Sequence, residues 1–260
     1  MKVAFYSTEE YDRESFEKAN ASLGNHLEFT FLYLRLAPET AALAQDHDAV
    51  CLFVNDDAGV KTLDELHRMG VKQISLRCAG TNNVDLERAK HLGIKVVHVP
   101  SYSPEAVAEF AVGMMLLTVR KYHKAYNRVR EGLVGFNLQS KTVGLIGTGQ
   151  IGLATAKILS HGFSSKVIAY DPYPNQAAAE KYGFSYIPTL DQLLEESDIV
   201  SLHCPLMEST HHILNHETLS KTKKGVFLIN VARGALIQTK ALIHHLKSGH
   251  IGAVGLDGWP

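Results

Sequence analysis

The chain has 260 residues with 45% hydrophobic content, and 26 basic side chains against 27 acidic ones give it a formal net charge of −1. A chain of this size can bury a sizeable core, either as one large domain or as two. The balanced charge argues against an extended basic face, so we expect neither nucleic acid nor an anionic membrane surface as a partner.

The apolar and cysteine patterns argue against a membrane or secreted protein. Residues 110–117 form the longest apolar run, which is far short of the roughly 20 residues that cross a bilayer. Residues 1–6 enter a strand pattern directly, so no signal peptide is predicted. The widely spaced Cys51, Cys78 and Cys204 suit reduced thiols, and we expect a cytoplasmic protein. We expect no metal site, because no carboxylate or cysteine cluster completes one beside the adjacent histidines.

The first hundred residues alternate short apolar runs with helical patterns, which predicts a small parallel α/β domain. One helix is expected to begin at a capping box, Thr62 with Glu65, and to stop at Gly70. The strands are predicted at residues 2–6, 28–32, 49–54, 73–77 and 95–98.

A long helix is predicted after Ser103, which is a natural N-cap followed by Pro104 at the first helical position. Its apolar residues form one stripe, which is typical of a surface facing the core and equally of a subunit interface. The stripe consists of Val107, Phe110, Ala111, Met114 and Leu117. We interpret this helix as the link between two domains, at residues 1–100 and 101–260.

The second half predicts six strands, at residues 142–146, 166–171, 185–187, 198–203, 226–230 and 253–257. Thr189 and Gln192 form another expected capping box between the third and fourth strands. Six strands in two sets of three is the number found in a full dinucleotide-binding sheet. We therefore expect a Rossmann-type doubly wound parallel sheet beside the smaller α/β domain.

The most informative motif is the sequence G-T-G-Q-I-G at residues 147–152, which follows the first of these strands and opens a helical pattern. Gly147 permits the tight turn, Gly149 lets a pyrophosphate approach the backbone, and Gly152 lets the helix pack on the sheet. The next strand ends in Asp171, which would accept hydrogen bonds from ribose hydroxyls and repel a 2′-phosphate. No Arg or Lys follows it closely, so the motif favours NAD over NADP.

Chemistry in such a sheet is expected beyond the carboxyl ends of its strands. Arg233 follows a strand, and its guanidinium suits bidentate binding of a carboxylate beside the nicotinamide, although a surface ion pair explains an arginine there as well. In the first domain, the turn at residues 77–83 offers backbone N–H groups to an anion. An ordinary turn capped by Asn is the alternative interpretation of those residues.

Five segments carry a family resemblance, at residues 77–86, 103–109, 144–152, 201–205 and 230–237. Together they resemble the D-isomer specific 2-hydroxyacid dehydrogenases, and most of all their NAD-dependent D-lactate dehydrogenase branch. The resemblance implies NAD as the cofactor and reduction of a small 2-oxo acid, such as pyruvate, by hydride transfer from NADH. It also implies a flavodoxin-like substrate domain, a Rossmann NAD-binding domain, and a homodimer built around the helix after Ser103.

The resemblance also implies roles for individual residues. Arg233 matches the family's catalytic arginine, which binds the substrate. Tyr102 matches a tyrosine that contacts the substrate, and Ala79 and Gly80 match the backbone that receives its carboxylate. The positions that match the cofactor site are Gly147, Gly149, Gln150, Ile151, Gly152, Asp171, Cys204, Pro205, Thr210, Val231, Ala232 and Asp257.

Other positions depart from the family pattern. After Asp257 the given sequence reads Gly-Trp-Pro, whereas the family continues to a glutamate and a catalytic histidine, which none of the 14 histidines matches. A C-terminally shortened chain without that acid would lose about 10²–10⁴ in rate, so we expect impaired turnover. The crossover at residues 130–133 is shorter than in relatives, Ala232 replaces a serine and Gln238 an aspartate. An NAD(H)-binding regulatory or scaffold protein without turnover and an unstable product are the alternatives.

Overall fold

The computed structural model describes residues 1–122 and 136–257. The chain divides into two compact units, Met1–Tyr102 and Ser103–Pro260, whereas the predicted division was after residue 100. The shortened crossover at 130–133 and the final Gly-Trp-Pro lie outside the described residues. Among the residues that are described, no helix is long and apolar enough to cross a membrane.

The first unit is a five-stranded parallel sheet with helices in the connections. In chain order its elements are β1 (Lys2–Phe5), α1 (Glu10–Ser22), β2 (Glu28–Phe31), β3 (Ala49–Leu52), α2 (Val60–Arg68), β4 (Gln73–Leu76), α3 (Leu86–His91) and β5 (Lys95–His98), with a 3₁₀ turn at Ala41–Ala44. The strand order β2-β1-β3-β4-β5 is the flavodoxin-like order that was predicted. Successive residues of β1 enter different apolar clusters, Ala4 in one and Phe5 in the other, so both sheet faces are covered.

The second unit is a six-stranded parallel sheet. Its elements are α4 (Pro104–Val119), β6 (Thr142–Ile146), α5 (Gln150–Lys157), β7 (Lys166–Tyr170), α6 (Gln176–Tyr182), β8 (Ser185–Tyr186), α7 (Leu190–Glu196), β9 (Ile199–Leu202), α8 (His216–Ser220), β10 (Val226–Asn230), α9 (Thr239–Lys247) and β11 (Ile251–Leu256); a π-helical turn at Ile158–Gly162 follows α5 and a 3₁₀ turn lies at Gly234–Leu236. The order β11-β10-β9-β6-β7-β8 is that of a full Rossmann sheet. The predicted α/β fold is confirmed, with strand ends shifted by about two residues at most.

Helix α4 begins where the sequence predicted, because the Ser103 side chain accepts a hydrogen bond from the backbone N–H of Ala106. The apolar stripe predicted on this helix faces the core only in part, because Ala111 is buried and Val107 and Met114 pack against the core. Phe110 and Leu117 are 48% and 39% exposed, whereas Ala111 is fully buried. The buried surface is displaced around the helix and contains Ala108, Ala111, Val112, Met115, Thr118 and Val119.

The start of α2 corrects the capping box predicted at Thr62. The helix begins at Val60 with Gly59 as its N-cap, which places Thr62 inside the first turns. The carboxylate of Asp57 accepts a hydrogen bond from the N–H of Gly59 at 2.7 Å and so closes the turn before the helix. Thr62 is consequently buried, and its hydroxyl has no hydrogen-bond partner among the described residues.

Candidate functional site

The strand order of the second sheet reverses between β6 and β9. The chain adds strands on one side of β6 as far as β8 and then adds β9 on the other side of β6. The loops after two such strands diverge and leave a crevice at the carboxyl edge. The glycine turn follows β6, and His203 and Cys204 follow β9. The two loops touch, because a Cβ on Gly147 would lie 2.8 Å from the backbone nitrogen of Cys204.

The three glycines of the turn have three different steric surroundings. Gly147 has φ of +95°, and any side chain on it would collide with the backbone of Cys204. A Cβ on Gly152 would collide with the carbonyl oxygen of Gly147, which explains the close contact of helix and turn. Beside Gly149, in contrast, no atom lies within 4 Å of a built Cβ. The open side of the turn is therefore the side from which an anion can reach the backbone.

The glycine turn leads directly into the N-terminus of α5. Gly149 is the N-cap residue and provides no side-chain oxygen to the first N–H groups of the helix. Gln150 is exposed and Ile151 is half-buried at the start of that helix. Backbone N–H groups and the helix dipole at such an end favour a bound phosphate group.

Asp171 follows β7 and accepts three hydrogen bonds, two of which come from the glycine turn. Its Oδ2 accepts from the backbone N–H of Thr148 at 2.7 Å and from the Thr148 hydroxyl at 2.8 Å. Its Oδ1 accepts from the N–H of Tyr173 at 2.9 Å. The fixed carboxylate thus lies at the edge where an adenosine ribose would bind. Thr148 was missed in the sequence, since a threonine between two glycines carries no signal of its own.

Two groups of the β9 loop are uncharged at neutral pH. Burial lowers the pKa of His203 to about 4, and its Nε2 lies 2.9 Å from the hydroxyl of Ser201. The Nδ1 atom of His203 is buried without a hydrogen-bond partner among the described residues. Burial raises the pKa of the Cys204 thiol to about 11, so Cys204 lines the crevice as a protonated thiol and not as a nucleophile.

Thr210 stabilises the loop that begins at Pro205. Its hydroxyl donates to the carbonyl of Pro205 at 2.6 Å and accepts from the backbone N–H of Met207 at 2.8 Å. The side chain therefore fixes the loop from within, and its contact with the cofactor stays a prediction.

Arg233 lies in a tight turn at the carboxyl end of β10. The buried Asn230 side chain fixes this turn, accepting from the N–H of Ala232 at 3.0 Å and donating to the carbonyl of Arg233 at 2.9 Å. The guanidinium of Arg233 is exposed, and its Nη1 donates to the carbonyl of Ala232 at 3.0 Å. Val231 is buried in the same turn, and the N–H of Asp257 donates to the Asn230 carbonyl at 2.9 Å. Asn230 is thus a second residue that was missed, although a polar residue ending the strand VFLIN is a usable signal.

The turn predicted to bind an anion in the first unit has ordinary backbone geometry. No residue from 77 to 83 has a positive φ, so the turn lacks the left-handed step of a typical anion nest. The carbonyl of Ala79 accepts from His98 at 2.9 Å, and that of Gly80 accepts from the Cys78 thiol at 3.3 Å. The expected Asn cap is absent as well, because Asp85 caps α3. Ala79 and Gly80 stay predictions as substrate-binding residues.

Tyr102 is the last residue of the first unit, and 72% of its surface is exposed. Its predicted contact with the substrate is untested by the fold of that unit. Within residues 1–122 and 136–257, no group of three or more histidine, cysteine or carboxylate side chains could hold a metal ion.

Comparison with known families decides between the classes of dinucleotide-binding protein. Residues 112–260 match the family model of the D-isomer specific 2-hydroxyacid dehydrogenase, NAD binding domain. The chain belongs to this family. It is 50% identical over 263 residues to the D-lactate dehydrogenase of Escherichia coli, covering 99% of this chain and 78% of that protein.

Solved structures agree with this assignment to the dehydrogenase family. The apo-structure of D-lactate dehydrogenase from Escherichia coli has a TM-score of 0.88 at 49% identity and covers 99% of this chain and 82% of its own. A D-lactate dehydrogenase from Aquifex aeolicus, complexed with NAD and lactic acid, has a TM-score of 0.86 at 32% identity and covers 99% of this chain and 77% of its own. The predicted family and its D-lactate dehydrogenase branch are confirmed.

NAD is accordingly the cofactor of this dehydrogenase, and the residues present fit it. The pyrophosphate would have room at the open side of Gly149 and the start of α5, and the adenosine ribose would meet the carboxylate of Asp171. No side chain of the turn fills the approach, because a Cβ at Gly149 would meet nothing within 4 Å.

Proposed function

We propose that this dehydrogenase reduces a small 2-oxo acid, with pyruvate as the simplest substrate, to the D-2-hydroxy acid. The observation that carries the proposal is the Arg233 turn, which Asn230 holds at the carboxyl edge of the sheet that also carries the glycine turn. An exposed guanidinium at that edge suits a carboxylate substrate, since it can make two parallel hydrogen bonds to the two carboxylate oxygens.

When bound, NADH supplies the hydride for the substrate carbonyl. The residues of this chain bind the substrate and the dinucleotide and orient them toward each other. Arg233 would hold the carboxylate and polarise the neighbouring carbonyl oxygen, while Asp171 and the glycine turn fix the adenosine end of the dinucleotide. Two fixed ends reduce the freedom of the reacting groups, which is the main rate gain that binding alone can give.

His203 is not the proton source in this proposal, despite its place beside the glycine turn. Burial holds its pKa at about 4, so the imidazole is neutral at pH 7. Its Nε2 is also engaged with the Ser201 hydroxyl at 2.9 Å. We infer that His203 packs against the turn and carries no proton to the substrate.

The experiment titrates the NADH complex with oxamate, an uncharged-amide analogue of pyruvate that keeps the carboxylate. Arg233→Gln should weaken oxamate binding about a hundredfold, which corresponds to one lost charge-assisted pair, and leave NADH binding unchanged. The oxamate affinity of Arg233→Lys should lie between those of the unchanged chain and Arg233→Gln, because an ammonium group keeps the charge without the bidentate geometry. Equal oxamate affinity in all three proteins would contradict the role of Arg233.

The reaction itself is measured as NADH oxidation with pyruvate or phenylpyruvate, followed by chiral analysis of the product. The D-hydroxy acid is expected, and the L-isomer would overturn the proposal. The same assay measures the turnover rate. A regulatory protein that only binds NADH would show no affinity for oxamate that depends on Arg233.

We also propose a homodimer through α4 and a cytoplasmic location. The exposed Phe110 and Leu117 support the dimer, because α4 presents these apolar residues away from its buried surface. No disulfide joins Cys51, Cys78 and Cys204, all of which are described, and this supports a reducing compartment. Light scattering of Phe110→Glu should give a monomer mass where the unchanged chain gives a dimer mass; equal masses would argue against this interface.

A further inference from the structure

Three side chains from the neighbouring strands β6, β7 and β8 form a chain of hydrogen bonds at the rim of the dinucleotide site. Thr148 follows β6, Asp171 follows β7, and Tyr186 ends the short strand β8. The Thr148 hydroxyl lies 2.8 Å from the carboxylate of Asp171 and 2.8 Å from the hydroxyl of Tyr186. Thr148 is buried, so water does not compete for its hydroxyl.

The direction of these hydrogen bonds follows from the count of hydrogens. An ionised carboxylate can only accept, and a threonine hydroxyl has a single hydrogen to donate. Thr148 therefore donates to Asp171, and Tyr186 must donate to Thr148. Each donation makes the next hydroxyl a better donor, so the Tyr186 hydroxyl strengthens the contact between Thr148 and Asp171.

The chain of hydrogen bonds decides which carboxylate oxygen faces the cofactor. Oδ2 of Asp171 receives both bonds from Thr148, at 2.7 and 2.8 Å, and Oδ1 receives one, from the N–H of Tyr173 at 2.9 Å. A carboxylate has about four acceptor positions. The position that remains belongs to Oδ1, which is consequently the oxygen available to a ribose hydroxyl.

We propose that Tyr186 is a positioning residue for the adenosine ribose and sets the preference for NADH over NADPH. It acts through Thr148, which keeps the Asp171 carboxylate turned toward the 2′ position, where a phosphate would be repelled. Without the Tyr186 hydroxyl, the Thr148 hydroxyl can rotate, and only the backbone N–H groups of Thr148 and Tyr173 then hold the carboxylate. The inference rests on NAD as the cofactor and is independent of the 2-oxo acid.

The test variant is Tyr186→Phe, which removes one hydroxyl and keeps the aromatic ring. The centroid of this ring lies 5.2 Å from that of Phe184. We expect the dissociation constant for NADH to rise about fivefold, as for one lost hydrogen bond. The ratio of the NADPH to the NADH dissociation constant should fall by a similar factor, because the fixed negative charge opposes the 2′-phosphate less. Tyr182→Phe is the matched control, since it removes a tyrosine hydroxyl from the same unit outside the hydrogen-bond chain.

Two comparisons separate positioning from a merely structural role. In an Asp171→Ala background, Tyr186→Phe should change NADH affinity less than twofold, because the group it positions is gone. With the NADH analogue that lacks the 2′-hydroxyl of the adenosine ribose, Tyr186→Phe should also have little effect on the dissociation constant. An effect that persists in both cases, or an unchanged NADPH to NADH ratio, would overturn the proposal.

The experiment also distinguishes this inference from the proposed function. All titrations follow NADH fluorescence and need no turnover, and thermal melting of each variant checks that it is folded. If the unchanged chain binds NADH and Tyr186→Phe behaves like Tyr182→Phe, the inference alone fails. A chain that binds NADH without reducing a 2-oxo acid would contradict the proposed function alone.

Discussion

The carboxyl edges of the two sheets differ, although both sheets have the same kind of strand order: one edge is open and the other is filled by side chains. Both sheets are doubly wound, and each has a switch point, between β1 and β3 in the first unit and between β6 and β9 in the second. In the second unit the edge carries glycines with open space beside Gly149. In the first unit the chain's own side chains fill the corresponding edge.

Asp56 is the centre of the filled edge. It is 2% exposed, and its Oδ1 accepts from the Ser7 hydroxyl and the Leu36 N–H, both at 2.7 Å. Its Oδ2 accepts from the N–H of Phe53 at 2.6 Å, and Asn83 donates to the carbonyl of Asp56 at 2.9 Å. One carboxylate thus joins the loops that follow β1, β2 and β3.

Arg77 completes the filled edge from the end of β4. Its guanidinium lies over the rings of Phe5 and Phe53, at 4.6 and 4.8 Å from their centroids. It donates to the carbonyl of Tyr6 at 3.0 Å and pairs with Asp12 at 3.4 Å. Buried side chains thus occupy the switch point of the first sheet, whereas the space beside Gly149 leaves that of the second sheet open.

The largest effect should come from adding one methyl group to the open edge. Gly152→Ala would force its Cβ against the carbonyl of Gly147, so we expect a loss of about 4 kcal/mol or more in unfolding free energy. Gly149→Ala meets no atom within 4 Å and should unfold like the unchanged chain. It should still raise the NADH dissociation constant at least about tenfold, because the methyl group occupies the pyrophosphate approach. Denaturant unfolding and NADH titration of both variants are the measurements.

Acid should destabilise the open edge through His203. The pKa of His203 in the folded protein is about 4, below the ordinary value of 6.5. Above pH 6.5 the His203 imidazole is therefore neutral in both the folded and the unfolded chain, and it causes no loss of stability there. Between pH 6.5 and 4 the unfolded imidazole takes up a proton that the folded one refuses, and about 3 kcal/mol is lost. His203→Gln should flatten this part of the pH profile of unfolding, and the replacement of the exposed His91 by Gln is the control variant. Parallel profiles for both variants would assign the loss to other groups.

The filled edge should tolerate the loss of Asp56 poorly, while cofactor binding does not depend on it. Asp56→Asn keeps the size but replaces one acceptor oxygen by a donor, so a buried N–H or hydroxyl loses its partner. We expect about 2 kcal/mol of lost stability with the NADH affinity unchanged. Asp57→Asn, on the exposed neighbour, keeps an oxygen for the N–H of Gly59 and should cost much less. Equal losses in the two variants would mean that burial of Asp56 does not matter.

Local sequence patterns predicted the fold well because each relied on neighbours in the chain. Apolar runs located the strands, and Ser103 and Thr189 each cap a helix, with Thr189 accepting from the N–H of Gln192 at 3.2 Å. The second half of that capping box does not form, because the Gln192 side chain bonds to Glu196 instead. At Thr62 the local motif gave the wrong helix start, since the turn formed by Asp57 precedes it.

Two contacts that sequence reasoning missed join residues that are far apart in the chain. Thr148 and Tyr186 are 38 residues apart, and Ser7 and Asp56 are 49 apart. No spacing rule connects such pairs, because sheet order alone brings the strand ends together. The glycines and Asp171 could be predicted because one β-α-β unit contains them, whereas the contact of Thr148 with Tyr186 could not. Asn230 lies three residues from Arg233 and was missed although its place at the strand end is a local signal.

The smallest expected effect concerns the Arg233 turn, where the open edge does depend on a buried side chain. Asn230→Ala removes the two hydrogen bonds that fix the turn, and it should cost about 1 kcal/mol in stability. Because Arg233 then samples other orientations, oxamate binding to the NADH complex should weaken about tenfold. NADH binding alone should be unchanged.

The matched control for this variant is Asn175→Ala, which removes the side-chain cap of α6 in the same unit. Loss of such a cap costs about 1 kcal/mol, so the two variants should be equally destabilised. Only Asn230→Ala should lose oxamate affinity, because only Asn230 fixes the backbone of Arg233. If both variants weaken oxamate binding equally, the weaker binding follows from lost stability and not from the position of Arg233. The Asn230 side chain would then stabilise the open edge without orienting the guanidinium.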